Sequence, residues 1–222
     1  MIFPIGDDNI EGGHKPIVSY SLIAINVAIF VFQLTLPQVD GFLNHFGVLP
    51  AEIVQGQDLF TLMTSMFLHG GLMHLLGNML FLWIFADNIE AVIGSSLFFT
   101  FYVMGGLFAS AVHIFTDMNS MIPTVGASGA ISAVMGTYLV MFPKSRIKMI
   151  FVIFFKTFHL PAIAFLGLWF AQQLLSGVGS FAPATADEGG GVAWWAHIGG
   201  FVYGLIIGWI FKQKYGSKYA YA

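Results

Sequence analysis

Cysteine is absent from the 222 residues. Disulfides and thiolate metal sites are therefore excluded, and the redox compartment is left unread. Charge is also scarce. Asp, Glu, Lys and Arg together make 9% of the chain, against about 25% in an ordinary soluble domain. The net charge of –3 gives no reason to expect a nucleic acid as partner. The composition is instead 57% hydrophobic with 24 Phe, and the mean hydropathy is +0.82. That balance describes a polytopic membrane protein. The start of the chain, 1–15, is polar and contains glycine. It lacks the basic beginning and cleavage site of a secretory signal, so the first apolar run reads as a retained helix.

A membrane helix needs about 20 largely apolar residues. Six candidates follow in order: 17–36, 72–89, 97–115, 127–142, 159–176 and 193–211. The expected fold is all-α, a six-helix membrane bundle. The fourth helix is short for a full span, which places its start below the membrane surface. The connector 37–71 carries Phe42, Leu43, Phe46, Phe60, Met63, Met66 and Phe67, so it is expected to lie in the interface. The run 149–155 is too short to span and reads as interfacial or re-entrant. A Gly-rich loop, 177–191, precedes the sixth helix. No internal repeat and no second domain is visible. The expected division is a cytoplasmic tail 1–16, a core 17–211 and a basic cytoplasmic tail 212–222.

Charge orients this bundle. Lys15 precedes the first helix, Lys144, Arg146, Lys148 and Lys156 lie between the fourth and fifth, and Lys212, Lys214 and Lys218 follow the sixth. The opposite loops carry only acidic residues, among them Asp40, Glu52, Asp58 and Asp117. Both termini are expected in the cytoplasm. The compact size, short tails and lack of an organelle presequence point to a bacterial or archaeal plasma membrane.

Helices two, four and six then enter from the outer face, and their first turns carry the polar residues. Ser128 stands between small neighbours in Gly126-Ala127-Ser128-Gly129, at a helix start. Unpaired backbone N–H groups and the positive end of the helix dipole lie there, a suitable place for an oxyanion. Such a stretch also fits plain helix packing, with Ser128 as a cap. His74 and Asn78 are four apart and share a helix face. Ala196, Gly200, Gly204 and Gly208 form one small-residue row, and Ser128, Ser132 and Gly136 form another. Two smooth rows pack closely, which would bring His197 toward Ser128. A serine with a histidine in reach makes a nucleophile and its general base. His74 and Asn78 would then donate to the oxyanion, together with the Ser128 N–H. No carboxylate is placed to orient His197, so a Ser–His dyad is expected rather than a triad.

On these residues the chain resembles the rhomboid family of intramembrane serine proteases. The resemblance rests on His69-Gly70-Gly71-Leu72-Met73-His74-Leu75-Leu76-Gly77-Asn78, on Gly126-Ala127-Ser128-Gly129 and on Ala196-His197-Ile198-Gly199-Gly200. It implies Ser128 as nucleophile, His197 as base, and His74 and Asn78 lining the oxyanion hole. It implies Gly126 and Gly129 as parts of the serine motif and Gly200 and Gly204 as close-packing positions. Glu90 and Gly94 match a structural Glu-x-x-x-Gly element. The implied substrates are transmembrane proteins, cut near the outer ends of their spans with no cofactor and no metal. Membrane lipid is the other implied contact. Two departures stand out. The Trp-Arg pair of the family's first loop is replaced by Asp58-Leu59-Phe60-Thr61. An aromatic residue one turn after the serine, which stacks on the histidine in some members, is Ser132 here. Trp195 is the sequence's candidate for holding the ring.

Three competing readings remain. His69 and His74 are five apart with no Glu between them, which does not fit a zinc protease helix. A transporter would show paired helix breaks near the midplane, and none stand in symmetric positions. An inactive family relative that binds membrane proteins is opposed by the presence of both Ser128 and His197.

Overall fold

The computed structural model describes residues 2–8, 13–180 and 192–216. Six helices make the bundle: α1 (Ile17–Leu34), α2 (Leu72–Ile93), α3 (Ser95–Thr116), α4 (Ser128–Met141), α5 (Ala162–Gly179) and α6 (Trp194–Tyr215). All but α4 are long and apolar enough to cross a membrane. At 1.5 Å per residue, the 14 residues of α4 reach about 21 Å, short of the about 30 Å hydrocarbon core. The expected six-helix bundle with a shortened fourth member is what forms. The segment 181–191, part of the expected Gly-rich loop, lies outside the described residues, while Gly177 to Gly179 close α5.

The short helix α4 is the centre of the bundle. Residues Gly129 to Tyr138 are all buried, and α4 packs most extensively on α6. The reason is the two glycine rows. A Cβ on Gly200 would overlap the carbonyl oxygen of Gly129, one on Gly204 that of Ala133, and one on Gly136 that of Phe201. The helices therefore touch backbone to backbone. Thr137 adds a hydrogen bond from its hydroxyl to the Gly204 carbonyl, 2.8 Å. Further down, Lys212 Nζ donates to Val140 O, 2.9 Å, so α4 and α6 run in the same direction.

The connector between α1 and α2 folds into the short helices Val39–Phe46, Pro50–Val54 and Thr61–Thr64. Phe46 meets Phe42 at a tilt and Phe60 edge-on within it, and Phe32 of α1 meets Phe42 edge-on. Gln33 ties this connector to α1, since its Nε2 donates to His69 O, 2.9 Å, and its Oε1 accepts from His69 N. At the other end Glu90, fully buried, accepts from Val18 N, Ser19 N and the hydroxyls of Ser19 and Ser95. It satisfies the first N–H groups of α1, which a helix start leaves without partners. Gly94 follows at φ 83 and turns the chain from α2 into α3.

A three-stranded antiparallel sheet closes the end of the bundle remote from Ser128. Strand β2 (Arg146–Phe151) lies between β1 (Ile2–Gly6) and β3 (Lys156–Pro161). The run 149–155 is thus the end of β2 and a 3-10 turn, Val152–Phe154, that leads into β3, and not a re-entrant segment. Ile147 and Met149 are buried while Arg146 and Lys148 are exposed, and that period of two suits a half-buried strand. The β1 pairing joins residues more than 140 positions apart, such as Phe3 and Ile150. Asp8 fastens it through an ion pair with Arg146, 3.1 Å. Asp7 turns inward to the Tyr138 hydroxyl and accepts from Asn88 Nδ2, 2.8 Å.

Burial pushes the Asp7 carboxyl up to about 7 from the ordinary 3.8. A raised carboxyl favours the docked strand while protonated. That stabilisation is full below the unfolded value near 4 and disappears as pH rises through about 7. Each pKa unit is worth about 1.4 kcal/mol. Asp7 should therefore contribute a loss of thermal stability between about pH 4 and 7, read as a stability difference between wild type and Asp7→Asn that changes across that window. Parallel curves for the two proteins would refute the assignment. Gly204→Val should lower stability by at least about 1–3 kcal/mol, the usual cost of overpacking. A melting temperature equal to wild type would show that α4 and α6 have room between them.

Candidate active site

The N-termini of α4 and α6 meet at one end of the bundle. The segment before α4 is pinned from several sides. Thr124 pairs with Val48 of the connector through N–H···O bonds in both directions, 2.8 and 3.0 Å. Its hydroxyl contacts His113 Nε2 at 2.9 Å. Gly126 N donates to Ser65 O, 2.9 Å. Gly126 has φ 128, a region that residues with side chains rarely enter. A Cβ there would also lie 2.7 Å from His74 Nε2. Glycine is required on both counts, and its absent side chain is what lets His74 stand beside the serine segment.

Ser128 occupies the first turn of α4 and His197 the first turn of α6. The Ser128 hydroxyl lies 2.9 Å from His197 Nε2. Both residues are half-buried. Asn78, one turn after His74 on α2, is buried, and its Nδ2 has no hydrogen-bond partner among the described residues. That amide lies 3.6 Å from where a Gly126 Cβ would stand. A free donor thus borders the serine segment. Gly129 and Gly200 form the crossing directly below the pair, and Gly204 the next contact along. Ser132 returns its hydroxyl to Ser128 O, 2.7 Å, and so spends its proton within the helix. His69 is buried edge-on against His74, with ring centroids 5.1 Å apart.

Sequence reasoning brought forward Ser128, His197, His74, Asn78, Gly126, Gly129, Gly200 and Gly204, and all eight converge on this corner. It missed what holds the histidine ring. Gln173 of α5 places Oε1 2.8 Å from His197 Nδ1. Trp169, one turn earlier, lies 6.0 Å from the ring centre at an interplanar angle of 36°. Trp194 meets the same ring edge-on at 6.2 Å. The available signal was the pair Gln172-Gln173 in an apolar helix, since polar groups in membrane helices face the bundle or water.

The profile of the Rhomboid domain family matches residues 56–214. Rhomboid protein 1, mitochondrial, of Saccharomyces cerevisiae is 32% identical over 205 residues, covering 90% of this chain and 55% of that protein. Presenilin-associated rhomboid-like protein, mitochondrial, of Homo sapiens is 25% identical over 206 residues, 89% of this chain and 48% of that one. Rhomboid protease GluP of Bacillus subtilis is 29% identical over 199 residues, 86% of this chain and 34% of that one. The chain belongs to the Rhomboid family and is a multi-pass membrane protein. It spans about half the length, or less, of these curated relatives. One expectation is overturned. Lysine and arginine bias told which ends of the helices share a side, but it carries no information on which bilayer they cross. The yeast and human relatives are mitochondrial by name, which stands against the plasma-membrane expectation.

Proposed function

We propose that the chain is an intramembrane serine endopeptidase, with residues 17–211 as its catalytic core and transmembrane segments of other proteins as substrates. The observation that carries the reading is the 2.9 Å approach of the Ser128 hydroxyl to His197 Nε2, beside a free buried amide at Asn78. Relatives that include a named rhomboid protease support the same class.

The chemistry follows from the positions. His197 Nε2 accepts the Ser128 proton as the hydroxyl oxygen attacks a substrate carbonyl carbon. The carbonyl oxygen gains negative charge. Asn78 Nδ2, His74 and the backbone N–H of Ser128 are the donors at hand, and the positive end of the α4 dipole adds to them. The tetrahedral adduct expels the amine, which takes the proton back from Nε2. Water then repeats the cycle on the ester, with His197 again removing the proton. The short α4 sets this site below the membrane surface yet at the end of the bundle, where water reaches it. The substrate backbone must be extended at the cut. Helical carbonyls are occupied by their own N–H groups and shielded by side chains.

Ser128→Ala and His197→Ala should each abolish cleavage of a transmembrane substrate in liposomes while the bundle keeps its melting temperature. A fluorophosphonate probe should label wild type and leave Ser128→Ala unlabelled. Continued cleavage by purified Ser128→Ala would remove the nucleophile assignment. Asn78→Ala should lower kcat about 10-fold or more, by comparison with other single oxyanion donors. A change confined to KM would make Asn78 a substrate-binding group instead.

A further inference from the structure

We propose that Gln173 is a positioning residue for this hydrolysis: its side-chain carbonyl holds His197 in the tautomer that leaves Nε2 unprotonated toward Ser128. The inference rests on the serine-protease reading above and gives the dyad a third, neutral member from α5.

A neutral imidazole carries one N–H and one lone pair. With nothing at Nδ1, the ring would sample both tautomers. In the wrong one, Nε2 carries the hydrogen and donates it to the serine oxygen, so it cannot take a proton. Gln173 Oε1 stands 2.8 Å from Nδ1, and a carbonyl oxygen only accepts. The proton is thereby kept on Nδ1, and the Nε2 lone pair faces the Ser128 hydroxyl at 2.9 Å. Gln173 is 4% exposed, so water does not compete for this bond. Trp169 is four residues before Gln173, on the same face of α5, and together with Trp194 it limits rotation of the ring. These contacts take the place of the aromatic residue that Ser132 does not supply.

The role is one of position and charge response, not proton transfer. During attack the Ser128 proton moves to Nε2, and the new C–O bond forms as the carbonyl π pair moves onto oxygen. His197 is then an imidazolium. Its Nδ1–H bond to Oε1 becomes charge-assisted and stronger. On collapse the Nε2 proton passes to the leaving amine and the C–N bond breaks. Gln173 is neutral at every stage.

The test compares wild type, Gln173→Leu and Gln173→Glu in liposomes with a transmembrane substrate across a pH series. The leucine variant should lose about 10- to 100-fold in kcat, within the range of positioned acid–base effects, with KM unchanged. The glutamate variant restores an acceptor and adds charge that favours the imidazolium. It should recover most of kcat and move the acid limb of the kcat profile upward by about one pH unit. Wild-type kcat in the leucine variant would overturn the proposal. Equal losses in both variants with an unmoved pH profile would also overturn it, because packing alone would explain them. The imidazole 15N signals of His197, identified by their absence from His197→Ala, decide the tautomer independently of turnover. A protonated Nδ1 in wild type and mixed tautomers in Gln173→Leu support the role, and a protonated Nε2 in wild type defeats it. If wild type neither cleaves nor takes the fluorophosphonate, the protease reading has failed, and these signals still judge Gln173.

Discussion

Backbone contact between α4 and α6 is the constraint on which the rest of the structure depends. Three glycine positions, at 136, 200 and 204, leave no space for even a methyl group against a facing carbonyl. This fixes the separation of the two helices and their relative height. Ser128 and His197 each stand in the first turn of their helix, so their separation is set by the same contact. Apolar side chains cannot give that precision in a membrane, because lipid tails solvate them as well as another helix does. Close-packed backbones and a few hydrogen bonds such as Thr137 to Gly204 have to do it. The contact between Ser128 and His197 is therefore a consequence of the packing and not an addition to it.

Polar groups at this corner are costly and mutually dependent. Gln33 satisfies the His69 backbone, Ser65 satisfies Gly126, and Val48 pairs with Thr124. The connector between α1 and α2 is thus a scaffold for the segment that leads to Ser128. Its aromatic cluster of Phe42, Phe46 and Phe60 supplies the apolar weight that anchors it. Asn78 Nδ2 is left without an acceptor among the described residues, in a buried position. Such a group is expensive when isolated, and it repays that cost only when an acceptor arrives, as the oxyanion of a bound substrate would.

Much of this was legible in the chain because the signals are local. Apolar runs of the right length gave the helices, and glycine rows at a spacing of four gave the α4–α6 seam. Three short motifs gave Ser128, His197, His74 and Asn78. The shortness of α4 was visible as a limited apolar run between Pro123 and Pro143. What was not legible depends on partners far apart in the chain. The strand Ile2–Gly6 is only a short apolar stretch ahead of Asp7 and Asp8 until β2 offers it an edge. The run 149–155 is apolar, which hid the alternation of Arg146, Ile147, Lys148 and Met149 just before it. Gln173 lies next to Gln172, and nothing in the sequence tells which of the two faces α6. Only the rotation of α5, set by packing of Phe170 on Phe201 at 4.3 Å, decides it.

The choice of an amide at this position has a physical reason that a soluble triad does not face. A carboxylate would stabilise the imidazolium more strongly, but it would have to be kept ionised between α5 and α6 in the membrane. Burying an unpaired carboxylate costs several kcal/mol after relaxation, and the resting histidine is neutral and cannot repay it. A carboxylate there would therefore lower the stability of the resting fold even where it supports turnover. An amide needs no counter-charge. In the proposed role its oxygen orients the ring in the resting state, and its dipole still favours the cation that would form during attack. The carboxylate has the larger effect on the reaction, whereas the amide keeps its orientation without desolvating a charge. In a low-dielectric site at the end of a short helix, the second property decides.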